Sequence, residues 1–240
     1  MRTNIAHFRK FLRNSRGAVT VDYVVLAAAV TAVGLYSTDI IGVGMRSLAG
    51  TVDEELSGTS TDTVVGLQYA SGFDNGSEGW SGATAQEMNG IGNVLGPIEN
   101  TSGLPGVSRD FAIDPDATEA SFAFDLYAMD DFDGDTGTVF IDGQAVGSVT
   151  VDQGVPTFTA ASDLAERGII IRYTEMDKAV NLGGNPDRVD AMSNISITVK
   201  NLQENPRENI NFGFGSDASA GANNEYFAID NFTATGLADY

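Results

Sequence analysis

The feature that most constrains this chain is an apolar run near its start. From Ala18 to Thr38 there are 21 residues and one charge, Asp22. As a helix the run spans roughly 30 Å at 1.5 Å per residue, about one bilayer core. It is rich in Ala and Val, and the expected helix continues through Ile40-Ile41 to about Leu56. The seventeen residues before it hold Arg2, Arg9, Lys10, Arg13 and Arg16 and no acid. Basic before and apolar after keeps the N-terminus cytoplasmic and sends the rest across.

A secretory signal peptide has its small-residue cleavage site after the apolar run and no acid near the start of that run. Here Gly17 precedes the run and Asp22 lies inside it. A carboxylate in lipid costs on the order of 3 kcal/mol on insertion scales, so it needs a partner. A cut after Gly17 would give Ala18 a free ammonium and make Asp22 the fifth residue of the new chain. Asp22 could then neutralise the ammonium of a neighbouring subunit. Gly17-Ala18-Val19-Thr20-Val21-Asp22-Tyr23 resembles the Flp (type IVb) pilin motif: a Gly, four residues, an acid, then an aromatic. Asp22 stands where that family usually has Glu. The resemblance covers about residues 10–56. It implies processing between Gly17 and Ala18 by a prepilin peptidase, passage through the inner membrane, and assembly with copies of itself into a Tad/Flp-type filament outside the cell. Flp pilins are usually much shorter than this chain, so the extra residues imply a decorated subunit with an adhesive role.

Charge and composition narrow the rest. The net charge is −20, and the basic leader holds five of the thirteen basic residues, so the chain after Gly17 carries −25. Such a surface excludes nucleic acid as a partner, because phosphates demand a basic face. There is no Cys, and the single His is His7 in the leader. The remainder therefore has no Ser-His-Asp triad, no Cys-His pair and no ordinary zinc site. Only hard metals bound by oxygen are left, and calcium is the natural candidate.

From Val64 onward helical periodicity gives way to short alternating stretches between Gly, Asn and Asp turns. Ser121–Met129, Thr138–Ile141, Val146–Val151, Asn194–Val199 and Phe227–Phe232 alternate, and Asp142-Gly143 reads as a hairpin turn. About ten strands point to an antiparallel β-sandwich. The expected fold class is thus α+β: one long N-terminal hydrophobic α-helix followed by a jelly-roll-like β-sandwich. The expected division is a leader at 1–17, a pilin-type helix at 18–56, a linker at 57–63 and the sandwich at 64–240.

Gly72-Phe73-Asp74-Asn75-Gly76, Gly79-Trp80 and the closing Phe227-Ala228-Ile229-Asp230-Asn231-Phe232-Thr233 are similar to phrases in jelly-roll carbohydrate-binding modules and laminin-G-like sandwiches. In those folds the first and last strands lie together and their acids often hold a structural calcium. The resemblance thereby marks Asp74 and Asp230 as calcium ligands. Separately, Asp130, Asp131, Asp133 and Asp135 cluster in one turn, where hard oxygen ligands at alternate positions converge on one cation. Trp80, the only tryptophan, is either a sugar-stacking platform or core. Catalysis would need a carboxylate pair, and Glu78, Glu87, Glu119 and Glu175 sit in no readable motif. The expected function is a non-enzymatic pilus subunit displaying a sandwich for surface attachment. The alternatives are a membrane-anchored, non-polymerising module that binds a glycan and, behind it, a surface glycan hydrolase.

Overall fold

The computed structural model describes residues 67–88, 90–130, 132–218 and 225–238, all within the unit Asp62–Tyr240. Twelve strands account for the regular structure: β1 (Leu67–Ser71), β2 (Ala85–Met88), β3 (Gly92–Ile98), β4 (Val107–Ala112), β5 (Ala120–Asp130), β6 (Asp133–Ile141), β7 (Gln144–Asp152), β8 (Val155–Ala160), β9 (Ile169–Val180), β10 (Asp190–Val199), β11 (Asn209–Ser216) and β12 (Glu225–Leu237). They form two antiparallel sheets. The larger runs β2-β3-β12-β5-β10-β9, with β1 also paired to β12, and the smaller runs β4-β11-β6-β7-β8.

This corrects the α+β expectation. The described residues are all β, with no helix among them and none long and apolar enough to cross a membrane. From Leu67 on, the chain satisfies its backbone through strand ladders, and its apolar residues recur at period two rather than 3.6. Residues 163–168 make hydrogen-bonded turns rather than a helix. The stretch 18–56, the leader, the linker at 57–63 and the motif residues Gly17, Ala18, Asp22 and Tyr23 lie outside the described residues.

The sandwich fills its interior by alternation. On β5, Phe122, Phe124, Leu126 and Ala128 point into the core, while Ser121, Ala123, Asp125, Tyr127 and Met129 take the outer face. The opposing sheet supplies Val139, Ile141, Val149, Val151, Ile210, Phe212 and Phe214. Asp142 and Gly143 join β6 to β7 with φ of 53° and 73°, the two positive values that a tight hairpin needs. Asp142 also accepts from the Asn211 backbone N–H at 2.9 Å and pairs with Arg207, which ties this turn to β11.

The first and last strands lie together. Leu67 pairs with Leu237 and Ser71 with Phe232, while β3 pairs with the earlier half of β12. Between these halves β12 slips register at Asp230–Thr233 against β5, and Asn231 takes φ 49°. Asn tolerates this left-handed conformation better than most residues. The extra residue of the bulge turns the Phe232 ring into the core while Asp230 and Asn231 remain on the outer side. Phe232 then packs against Trp80 and Phe212 at 4.9 Å, Phe111 at 5.6 Å and Phe124 at 6.0 Å between ring centroids. Phe232→Ala is expected to cost about 3–5 kcal/mol of stability. Denaturant unfolding followed by tryptophan fluorescence checks this, since Trp80 lies against the same ring.

Candidate functional site

The outer face of the larger sheet carries a row of polar side chains set by strand register. Asn194 on β10, Asp125 on β5 and Asp230 on β12 are direct cross-strand partners. Asp125 is buried, and both its oxygens are held: Asn194 Nδ2 donates to Oδ1 at 2.8 Å and Asn231 Nδ2 to Oδ2 at 2.9 Å. Asn194 Nδ2 also donates to the Phe124 carbonyl at 3.3 Å, which fixes its amide and leaves Oδ1 as an acceptor. Asp230 Oδ1 accepts from the Asn231 backbone N–H at 2.7 Å. Burial, and then the charges of Asp125 and Asp74, push the Asp230 carboxyl above its ordinary value, while the Asn231 N–H works the other way.

Asp74 extends this row toward β1. Asp74 Oδ2, Asp230 Oδ1 and Asn231 Oδ1 lie 3.7, 3.8 and 3.9 Å from the point a Cβ on Gly72 would occupy. The structure thus brings Asp74 and Asp230 together. Asn93 Nδ2 donates to Asp74 Oδ1 at 3.3 Å, the oxygen other than the one beside Gly72, and the Asn231 N–H donates to Asp230 Oδ1. Among the described residues no third acid joins this pair in a cation-sized group.

Next to Asp74 a cleft of about 560 Å³ opens, lined by residues 69–76, Glu78, Gly79 and Arg109. The Arg109 guanidinium lies 4.2 Å over the Tyr69 ring. Its Nη1 donates to Tyr69 Oη at 3.0 Å and to the Glu78 carbonyl at 2.6 Å. Trp80 is not part of this surface. It is 8% exposed, ringed by Phe73, Phe111, Phe212 and Phe232, and its Nε1 donates to Tyr69 Oη at 3.2 Å. The indole has no open face on which a sugar could stack, so the core reading of Trp80 replaces the platform.

The acids of the 130–135 turn separate. Asp130 is buried with φ 73°, and its Oδ1 accepts from the Asn185 backbone N–H at 2.8 Å. It serves to hold the loop around Gly184. Asp131 lies outside the described residues. Asp133 and Asp135 instead join Glu225, a residue the sequence reading did not single out, with one ligand oxygen from each within 4.8 Å of the others. Burial, followed by the charge of Glu225 and contact with Asp133, pushes the Asp135 carboxyl up to about 6.

The sequence reading also missed Asp125, Asn194, Asn231 and Arg109. A signal for the first three was present. Asp125 and Asn194 occupy outward positions of cleanly alternating strands, and the doublet Asp230-Asn231 interrupts an alternation, as a bulge does. Arg109 and Glu225 come to their places only through tertiary contact.

Comparison with known proteins adds little to this geometry. No family model matches the chain, and no curated protein matches it. Among solved structures, it is similar to a β-1,3-glucan binding CBM6 from Bacillus halodurans, at 12% identity and a TM-score of 0.31 over 71% of this chain and 95% of the other. It is also similar to SGBP-B from a xyloglucan utilization locus of Bacteroides uniformis, at 11% identity and a TM-score of 0.30, covering 70% of this chain and 49% of that one. An exo-β-1,3-galactanase from Phanerochaete chrysosporium gives 17% identity and a TM-score of 0.28, covering 72% of this chain and 30% of that one. Likenesses at these scores carry no argument about ligand, and the sandwich assignment rests on the strand ladders themselves.

Two phenols report on this face. Burial, followed by the charges of Asp125, Asp230 and Asp177, pushes Tyr127 up to about 12. Burial, followed by Asp130 and Asp190, does the same for Tyr226. A phenol whose folded pKa exceeds its unfolded value of 10 favours the folded state below pH 10, and that contribution is lost as pH rises through 12. Stability should therefore fall between pH 10 and 12, by less in Tyr127→Phe, as measured by urea unfolding across that range.

Proposed function

We propose that the sandwich is a glycan-binding module, with its site on the outer face of the larger sheet along Asn194, Asp125, Asn231 and Asp230 and into the cleft beside Asp74 and Arg109. The observation that carries this reading is Asp125, whose two oxygens are each held by an asparagine amide from a different strand. Sugar hydroxyls both donate and accept. A row of amide carbonyls and carboxylates, locked in place by its own hydrogen bonds, meets them without further ordering. Small residues, Ala123 and Ser196, continue the same face, Tyr127 borders it, and Arg109 supplies donors at the far end. The cleft volume falls within the 300–1,000 Å³ range of small-ligand sites.

Affinity electrophoresis of the full chain through gels carrying individual neutral polysaccharides tests this. At least one polysaccharide should retard the protein. Asn194→Ala should weaken that binding about tenfold, the loss of roughly one hydrogen bond plus ordering of its neighbour. Gly72→Ala is a second probe. Its methyl would stand at ordinary contact distance among three oxygens, so the melting temperature should hold while binding drops. Retardation unchanged in both variants would overturn the site. Release of reducing ends that vanishes in Asp125→Asn would replace binding by hydrolysis.

The sequence motif Gly17-Ala18 with Asp22-Tyr23 favours a compatible second reading, of how the module is displayed. In it, a prepilin peptidase cuts after Gly17 and the subunit assembles with copies of itself through a Tad/Flp-type machinery at the bacterial surface. N-terminal sequencing of protein sheared from cells decides the matter. A chain starting at Ala18 supports the filament, and a chain starting at Met1 and confined to membranes supports an anchored, non-polymerising module.

A further inference from the structure

We infer that Met192, Leu182 and Ile91 form an apolar step along one side of the proposed glycan row, and that this step selects sugar rings whose hydroxyls are all equatorial over rings that carry an axial one. The inference rests on the glycan reading of that row. Side chains two residues apart on a strand share a face, at a spacing of roughly 7 Å. Toward one end of the sheet the outward neighbours of Asn194, Asp125 and Asp230 are therefore Met192, Tyr127 and Ala228, which are again cross-strand partners. These three belong to, or pack against, a second hydrophobic cluster on the outer face, separate from the core between the sheets. On the other side of the row the neighbours are small, Ser196 and Ala123, and the face stays open.

Two loops roof the cluster. Leu182 from the loop after β9 and Ile91 from the β2–β3 turn pack on it, so Tyr127 and Ala228 are buried on what is otherwise an outer face. The loops touch, since a Cβ on Gly90 would stand 2.6 Å from the Leu182 carbonyl oxygen. The loop after β9 is pinned from below: the Leu182 N–H donates to Asp190 Oδ2 at 2.6 Å and the Asn185 N–H to Asp130 Oδ1 at 2.8 Å. Met192, Leu182 and Ile91 are each only half-buried, so the step keeps apolar surface exposed beside a row of fixed acceptors. Trp80 lies in the core and Tyr127 under the step, so neither ring is open to a sugar and the step takes that part. A pyranose with only equatorial hydroxyls carries them round its rim and shows C–H groups on its faces. Stood against the step, its rim meets the row and a face meets Met192 and Leu182. An axial hydroxyl on that face would be pressed on apolar surface without a partner, which weakens binding. Turning the ring over removes the clash but reverses the order of the hydroxyls along the row.

The test is affinity electrophoresis of the full chain through gels carrying soluble β-glucan, xylan, β-galactan or β-mannan, of which the last two bear an axial hydroxyl on each ring. Glucan or xylan should retard the chain at about tenfold lower concentration than galactan or mannan. Met192→Thr removes the thioether and keeps a strand-forming side chain. It should melt close to the wild type, weaken glucan or xylan binding, and bring the four polysaccharides to within about twofold of one another. Met192→Leu keeps the apolar surface and should preserve the wild-type ratio. The ratio decides, because a merely structural defect weakens all four alike. Equal retardation by galactan or mannan in the wild type, or an unchanged ratio in Met192→Thr, would overturn the step and leave the glycan row standing. Retardation by none of the four would overturn it too, and only failure with every neutral polysaccharide strikes the glycan reading itself.

Discussion

One extra residue in the last strand sets the terms for the rest of the sandwich. The bulge at Asn231 in β12 reverses the phase of the strand for everything after it. Because of it Phe232 turns inward to the ring cluster that joins the two sheets, and Asp230 and Asn231 stand side by side on the outer face. A strand without the bulge would send one of these groups to the wrong side, because a slip of one residue exchanges the faces of a strand. Core and candidate site are therefore two faces of the same backbone irregularity. β12 pairs with β1, β3 and β5, so the irregularity lies where the larger sheet is most tied together.

Three buried acids, Asp125, Asp130 and Asp190, accept hydrogen bonds from N–H donors. Asn194 and Asn231 hold Asp125. The backbone amides of Asp130 and Leu182 hold the two oxygens of Asp190 at 2.7 and 2.6 Å. Asp130 in turn takes the Asn185 amide, so two acids stitch the loop after β9 onto the end of β5. A charge-assisted bond to a carboxylate is stronger than a neutral one, and backbone donors require no basic partner. This suits a chain with 33 acids, 13 basic residues and no cysteine.

Much of the sandwich was legible because its strands obey a strict period of two. Ser121–Met129 and Asn194–Val199 show their inner and outer faces in the letters alone, and Asp142-Gly143 announces its turn. The class was misjudged because a run of 21 nearly uncharged residues dominates a reading by periodicity, while the described architecture begins only at Leu67. The site was less legible. Asp74 and Asp230 were marked by resemblance and do meet beside Gly72. Trp80 followed the ordinary tendency of a large ring to be buried. Glu225 could not be paired with Asp133 and Asp135 in advance, because roughly ninety residues separate them and only the crossing of β6 and β12 closes the distance.

The pairing of the first strand with the last has a mechanical side. β1 is joined to the larger sheet through β12, by a ladder running from Leu67 opposite Leu237 to Ser71 opposite Phe232. Tension arriving through the residues before Leu67 pulls along that ladder, so its hydrogen bonds are loaded side by side and must yield together rather than one after another. The far end of the ladder opens directly into Gly72 and the cleft beside Asp74 and Arg109. A ligand held there and a tether pulling at Leu67 would load the same short strand from its two ends.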